Sequence, residues 1–182
     1  RNVDIKILLF NNRIYGLTKG QYSPTSERGK VTKSTPFGSV DAPMNPISLA
    51  LGAEATFVAR SVDIYAQHLQ ETLVRAAEHK GSAFIEILQN CNIFNDKAWE
   101  PVTEKSTRDE RNIVLEHGKP VIFGKDREKG IRLNGFTPEI VNLGNGITEK
   151  DLVIFDEKDP SGVLAWLFSR IDYPDFPTPI GV

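Results

Sequence analysis

The chain has one cysteine, Cys91, so no disulfide can form within it, and a cluster needing four thiolates cannot be built from its residues alone. A single cysteine agrees with a reducing cytoplasm. Three histidines, His68, His79 and His117, have no Cys, Asp or second His at ligand spacing. They read as surface or satisfied polar groups rather than a zinc site. No apolar run approaches the about 18 residues of a spanning helix, and the amino terminus lacks the charged and apolar regions of a secretory signal. With a net charge of −2, nothing suggests nucleic acid or an anionic membrane surface as the main partner. Internal repeats and low-complexity tracts are missing too.

What remains is an ordinary globular balance: 182 residues, 40% apolar and 25% charged. That is enough for a single domain with a core, expected over residues 1–182. The most telling stretch is Ile7 to Thr25. An apolar run, Ile7-Leu8-Leu9-Phe10, breaks into Asn11-Asn12, and Gly16 and Gly20 follow among hydroxyl and lysine side chains. The run reads as a strand over 5–10 buried on both faces, as in parallel sheets. Ligands of open α/β sheets sit beyond the carboxyl ends of the strands, which puts Asn11 to Thr25 at such an edge. An Asn amide oxygen suits Mg²⁺, irregular backbone can add a carbonyl, and glycines let N–H groups approach phosphate. An Asn-Asn turn merely closing a strand would look the same as a bare pair.

The longer string separates these readings. Asn-Asn-Arg-Ile-Tyr-Gly-Leu-Thr-Lys-Gly-Gln-Tyr-Ser-Pro-Thr resembles the second half of the thiamine-diphosphate motif in β subunits of 2-oxoacid:ferredoxin oxidoreductases, most closely the 2-oxoglutarate type. The resemblance implies that Asn12 is the side-chain ligand of the magnesium and the Ile14 carbonyl a backbone ligand. Gly16, Leu17 and Thr18 would line the diphosphate and the substrate side of the thiazolium. In that family a Gly-Asp-Gly segment precedes the motif and supplies an Asp ligand. None occurs here, the chain opens at Arg1, and the only methionine is Met44. The chain is therefore expected to be the carboxyl-terminal portion of a longer subunit.

The rest follows in order. Residues 19–46 are rich in Ser, Thr, Gly, Pro and Lys and read as a long loop, a lid or a partner-contacting segment. Of its cations, Lys19, inside the motif, is the one assigned to a substrate or coenzyme A anion. Pro46 to Gly52 predicts a short helix. A strand over 56–60, a helix from an Asp63 cap to about Lys80 with Tyr65, Leu69, Leu73 and Ala76 on one face, and a strand over 83–88 make a βαβ unit with parallel pairing. Glu86, a carboxylate inside an apolar strand, is expected to be paired. Cys91 follows that strand, and alone it reads as a small buried hydrophobe. The resemblance instead implies that it is the fourth ligand of a [4Fe-4S] cluster whose other three lie outside this chain.

Residues 97–111 are charged and expected on the outside. Segments 119–124 and 129–133 predict a hairpin, with 138–143 as a third strand. Residues 152–156 look like a further strand, and 161–171 like a helix capped by Asp159 or Ser161. The tail from Pro174 to Val182 has three prolines and is expected to lack regular structure.

The expected fold is therefore α/β: a mostly parallel sheet with flanking helices, forming part of a thiamine-diphosphate-binding domain, plus a small carboxyl-terminal β-rich extension. The resemblance implies a subunit that oxidatively decarboxylates a 2-oxoacid, forms an acyl-coenzyme A and passes electrons to ferredoxin, with an α (or fused γ/α) subunit as partner. Its cofactors would be thiamine diphosphate, Mg²⁺ and the [4Fe-4S] cluster. Because the cofactor carries the hard chemistry, no catalytic side chain is assigned. Two alternatives are a non-redox thiamine-dependent decarboxylase or synthase, and a catalytically silent interaction module.

Overall fold

Three apolar segments bounded by polar turns become parallel strands in the first hundred residues: β1 (Lys6–Asn11), β2 (Phe57–Val62) and β3 (Ala83–Leu88). They are seen in a computed structural model that describes residues 2–182. The chain divides into two compact units, Arg1–Glu100 and Pro101–Val182.

In the first unit β3 runs between β1 and β2, with Leu9 and Arg60 both in register with Glu86. The first helix, α1 (Pro46–Gly52), begins on Pro46 and is capped by Asn45, whose side-chain oxygen accepts from the Ser48 N–H at 3.0 Å. Helix α2 (Ala66–Glu78) links β2 to β3, giving the predicted βαβ unit. Asp63 is not its cap. Tyr65 holds that position, and the Asp63 carboxylate instead accepts from the Asn90 N–H at 3.3 Å.

The burial expected of the first strand is not met. Ile7, Leu8 and Phe10 are 46%, 43% and 60% exposed, because β1 lies at the sheet edge with β3 as its neighbour, and among the described residues no strand lies beyond it. Ala59, Val62, Ile85, Ile87 and Leu88, on the two strands further in, are buried.

The chain enters the second unit within α3 (Glu100–Thr103), and α4 (Arg108–Arg111) follows. Strand β4 (Asn112–Leu115) comes next, then an antiparallel sheet of β5 (Ile122–Phe123), β6 (Lys129–Asn134) and β7 (Thr137–Asn142), as the hairpin signals predicted. Residues 152–156 form no strand. A 3₁₀ turn over Glu149–Asp151 precedes them, and they make one bridge, Ile154 with Pro120. Helix α5 (Val163–Arg170) starts after Gly162 at the cap position, not after Asp159 or Ser161.

The proline-rich tail, expected to lack regular structure, forms a strand. Thr178–Gly181 is strand β8, parallel to β4, with Pro179 in register with Ile113. Proline's fixed φ suits an extended chain, and burial of Ile180 supplies the drive. The core of this unit gathers Ile113, Val121, Phe123, Ile131, Phe155 and Phe168, with Phe155 and Phe168 edge to face at 5.5 Å.

Candidate functional site

At the carboxyl end of β1 the two consecutive asparagines do different things. Strand alternation turns Asn11 onto the Glu86 face, where it is 5% exposed. Its amide nitrogen donates to Glu86 Oε1 at 2.7 Å, and its amide oxygen accepts from Thr25 Oγ1 at 2.7 Å and from the Arg13 N–H at 3.2 Å. Asn12 is half-buried, beyond the end of the strand, and its side-chain oxygen accepts from the Ile14 N–H at 3.2 Å. Arg13 between them takes a left-handed φ of 55°. Among the described residues no hydrogen bond reaches the carbonyl oxygen of Ile14, a residue 4% exposed, so this oxygen and the singly bonded Asn12 amide oxygen are two neutral oxygens within three residues.

Past Ile14 the backbone closes on itself: the Tyr15 N–H donates to the Gln21 carbonyl at 2.8 Å and the Gly20 N–H to the Tyr15 carbonyl at 3.1 Å. Between these bonds lie Gly16, Leu17 and Thr18, whose three consecutive N–H groups make no hydrogen bond among the described residues. Unpaired successive N–H groups form the kind of concavity that takes an anion. Thr18 donates its hydroxyl to the Tyr15 carbonyl at 3.1 Å, while the Leu17 side chain projects outward, fully exposed. Gly20 is needed for its φ of +97°, and the Phe94 ring packs over it.

Residues that the sequence did not single out hold this turn. Trp99 Nε1 donates to the Asn11 carbonyl at 2.7 Å, and the Arg13 guanidinium lies 3.6 Å from the Trp99 ring. Asn95 donates to the carbonyls of Asn12 at 2.9 Å and Arg13 at 3.3 Å, and accepts a bond from Lys30. Ser26 donates to the Arg13 carbonyl. The long loop over 19–46 is thus stitched to the turn and contains no helix or strand before Pro46. Beside the turn is an open cavity of about 380 Å³ bordered by Tyr15, Tyr22, Ser23, Asp41 and Met44. The Asp41 carboxylate accepts from the Tyr22 hydroxyl at 3.2 Å and holds that phenol above its ordinary pKa.

The polar side chains flagged as bystanders are satisfied. His68 Nδ1 lies 2.8 Å from Ser61 Oγ, His79 Nε2 2.7 Å from Thr56 Oγ1, and His117 3.2 Å from Asp156. Glu86 is paired, as expected, with Arg60 at 2.7 Å. Cys91 is half-buried just after β3, bridged through its backbone to Asn95. Among the described residues no group of three or more His, Cys, Asp or Glu could hold a metal ion. The side chains present offer an iron-sulfur cluster one thiol, that of Cys91, so its other ligands would have to come from outside these residues. Octahedral Mg²⁺ fits in part: Asn12 and Ile14 provide two oxygens, diphosphate oxygens would add others, and a carboxylate is missing.

This turn at the edge of a parallel sheet has counterparts of known type. A family model for the thiamine pyrophosphate enzyme, C-terminal TPP binding domain, matches residues 1–87. The chain is 49% identical over 171 residues to the 2-oxoglutarate oxidoreductase subunit KorB of Mycobacterium tuberculosis, covering 94% of this chain and 45% of that one. It is 37% identical over 150 residues to subunit beta of 2-oxoacid:ferredoxin oxidoreductase 1 of Aeropyrum pernix, covering 73% of this chain and 45% of that one. The chain belongs to the 2-oxoacid:ferredoxin oxidoreductase β-subunit family. A solved 2-oxoglutarate:ferredoxin oxidoreductase from Magnetococcus marinus, with 2-oxoglutarate, coenzyme A and succinyl-CoA bound, superposes with a TM-score of 0.64 at 25% identity, over 99% of this chain and 46% of that one. The chain thus spans about half the length of these β-subunit relatives. Among the described residues no helix is long and apolar enough to cross a membrane.

Proposed function

We propose that this β-subunit chain supplies half of a cradle for magnesium thiamine diphosphate in a 2-oxoacid:ferredoxin oxidoreductase, with 2-oxoglutarate as the oxoacid. The observation that carries it is the turn itself: two available oxygens, on Asn12 and Ile14, stand directly before three unengaged N–H groups, on Gly16, Leu17 and Thr18. A divalent cation takes oxygen ligands and a diphosphate takes successive backbone N–H groups, and this one stretch offers both.

Thiamine diphosphate, when bound, supplies the carbanion chemistry that breaks the bond next to a keto carbon. The protein's share is placement. Asn12 and Ile14 hold the cation, the amides of 16–18 hold phosphate oxygens, and Leu17 presents an apolar contact toward the substrate side. Lys19, exposed next to Gly20, is suited to an oxoacid carboxylate or a coenzyme A phosphate. Cys91 would be one ligand of a [4Fe-4S] cluster completed by cysteines outside these residues, a group that would supply one-electron transfer toward ferredoxin. The working assembly includes an α or fused γ/α subunit, and its compartment is the cytoplasm, in keeping with the single thiol.

Calorimetric titration of the cofactor-stripped native complex with thiamine diphosphate tests this reading. Binding is expected to require Mg²⁺ and to weaken at least tenfold in Asn12→Ala, and residues 1–182 alone are expected to bind poorly. Unchanged affinity in Asn12→Ala, or tight magnesium-dependent binding by residues 1–182 alone, overturns it. Iron analysis of Cys91→Ser in the same complex tests the cluster ligand, with loss of iron as the expected result.

A further inference from the structure

The most costly polar arrangement in the first unit is also the one the cofactor reading leaves unused. Glu86 is 1% exposed in the middle of β3, and each of its oxygens is engaged: Oε2 accepts from Arg60 Nε at 2.7 Å and Oε1 from Asn11 Nδ2 at 2.7 Å. Burying such a pair sacrifices the hydration of both ions, and an apolar pair of similar volume is often as stable or more so. Stability alone therefore gives a weak reason for its presence here.

The direction of its hydrogen bonds gives a better one. A carboxylate only accepts, so it dictates which end of the Asn11 amide faces the sheet. With the nitrogen pinned on Glu86, the oxygen must face the turn, where it receives Thr25 Oγ1 and the Arg13 N–H. Reversed, that amide would set two donors against the Arg13 N–H. Arg13 has a φ of 55°, costly for a side-chain-bearing residue, and holds it under four constraints: this N–H bond, its contact with Trp99, and the bonds that Ser26 and Asn95 make to its carbonyl. The left-handed step at Arg13 is what folds the Ile14 N–H back onto the Asn12 oxygen.

We propose that Glu86, held by Arg60, is a positioning residue for the cofactor turn: acting through Asn11 it fixes Arg13, and with it the spacing of the Asn12 and Ile14 oxygens. This rests on the reading of the turn as a magnesium and diphosphate cradle. Glu86 touches neither ligand; it sets the amide that sets the backbone.

Titration of the cofactor-stripped native complex with thiamine diphosphate and Mg²⁺ decides it, alongside thermal unfolding of each variant. Glu86→Gln keeps the size but faces Asn11 or Arg60 with a donor, and is expected to raise the Kd at least tenfold. Thr25→Val, which removes one donor to the Asn11 oxygen without touching the buried pair, is expected to raise it severalfold, and decides the matter if Glu86→Gln does not fold. The double variant Glu86→Gln/Asn11→Asp reverses the bond: the introduced amide donates, the introduced carboxylate still accepts from Thr25 and Arg13, and the count of charges is as before. It is expected to recover the affinity to within about threefold of wild type, a rescue corresponding to less than about 0.7 kcal/mol of residual loss. A merely structural Glu86 would lower the unfolding temperature and leave the Kd unmoved in folded Glu86→Gln and Thr25→Val. That result, or a folded double variant without recovered affinity, overturns the proposal. Asn12→Ala separates the two levels: if it binds normally the cradle reading fails, whereas if it alone loses binding the cradle stands and the positioning role falls.

Discussion

The side-chain amide of Asn95 donates to the backbone carbonyl of Asn12 at 2.9 Å, so the loop that follows β3 is tied to the turn that follows β1. Cys91 begins that loop and bridges to Asn95. The Cys91 backbone and the turn after β1 are therefore both joined to Asn95, the one through its main chain and the other through its side chain.

Removal of this tie is expected to be felt in stability. Asn95 is buried, and Asn95→Ala takes the side-chain donor from the Asn12 carbonyl, leaves the Arg13 carbonyl with Ser26 and leaves Lys30 with Glu27 at 3.5 Å. We expect a loss of about 1–3 kcal/mol, read as a lower urea midpoint with unchanged slope. Asn95→Asp keeps an acceptor for Lys30 but turns a carboxylate toward the two carbonyls, and is expected to do no better than the alanine.

Two glycines should respond in opposite directions. Gly20 has a φ of +97° and would set a Cβ 3.3 Å from the Phe94 ring, so Gly20→Ala is expected to cost about 1–2 kcal/mol. Gly52 ends α1 at an ordinary φ with nothing within 4 Å of an added Cβ. Gly52→Ala is expected to stabilise by about 0.4–1 kcal/mol, because it restricts the unfolded chain. Paired urea titrations should show the two midpoints moving apart.

His68 makes stability depend on pH. Burial depresses its pKa below the ordinary 6.5, with a smaller lowering from Arg75 and an opposing effect from Glu71. The unfolded chain therefore takes up a proton more readily than the folded one. This contribution is whole above pH 6.5 and is lost as the pH falls from there through the depressed value of the folded state. Urea midpoints compared at about pH 7.5 and about pH 5.5 should fall on acidification, and His68→Gln should flatten the fall.

Much of this was legible from local pattern. The Pro46–Gly52 helix has a proline start and a glycine end, and the Ala83–Leu88 strand is a short apolar run between turns. The motif residues do fall together: Asn12, Ile14, Gly16, Leu17 and Thr18 form one continuous turn at the carboxyl end of β1. What the sequence hides is whatever depends on distant neighbours. The burial of β1 hinges on what lies beside it, and the strand Thr178–Gly181 hinges on β4, some 65 residues earlier, which no count of prolines reveals. Asn95 and Trp99 act on a turn more than 80 residues away and carry no motif of their own. Asn11 is hidden for the same reason, because its partner Glu86 lies 75 residues further on.

Strand parity has a genetic consequence. In β1 a side chain's face is decided by whether its place is odd or even, so Asn11 meets Glu86, whereas Asn12, one place past the strand, accepts from the Ile14 N–H although the two are chemically identical. One codon inserted between Lys6 and Phe10 would preserve the amino-acid string of the motif and still turn the first asparagine away from Glu86. Such a protein would carry every residue of the motif and lack the bond between Asn11 and Glu86.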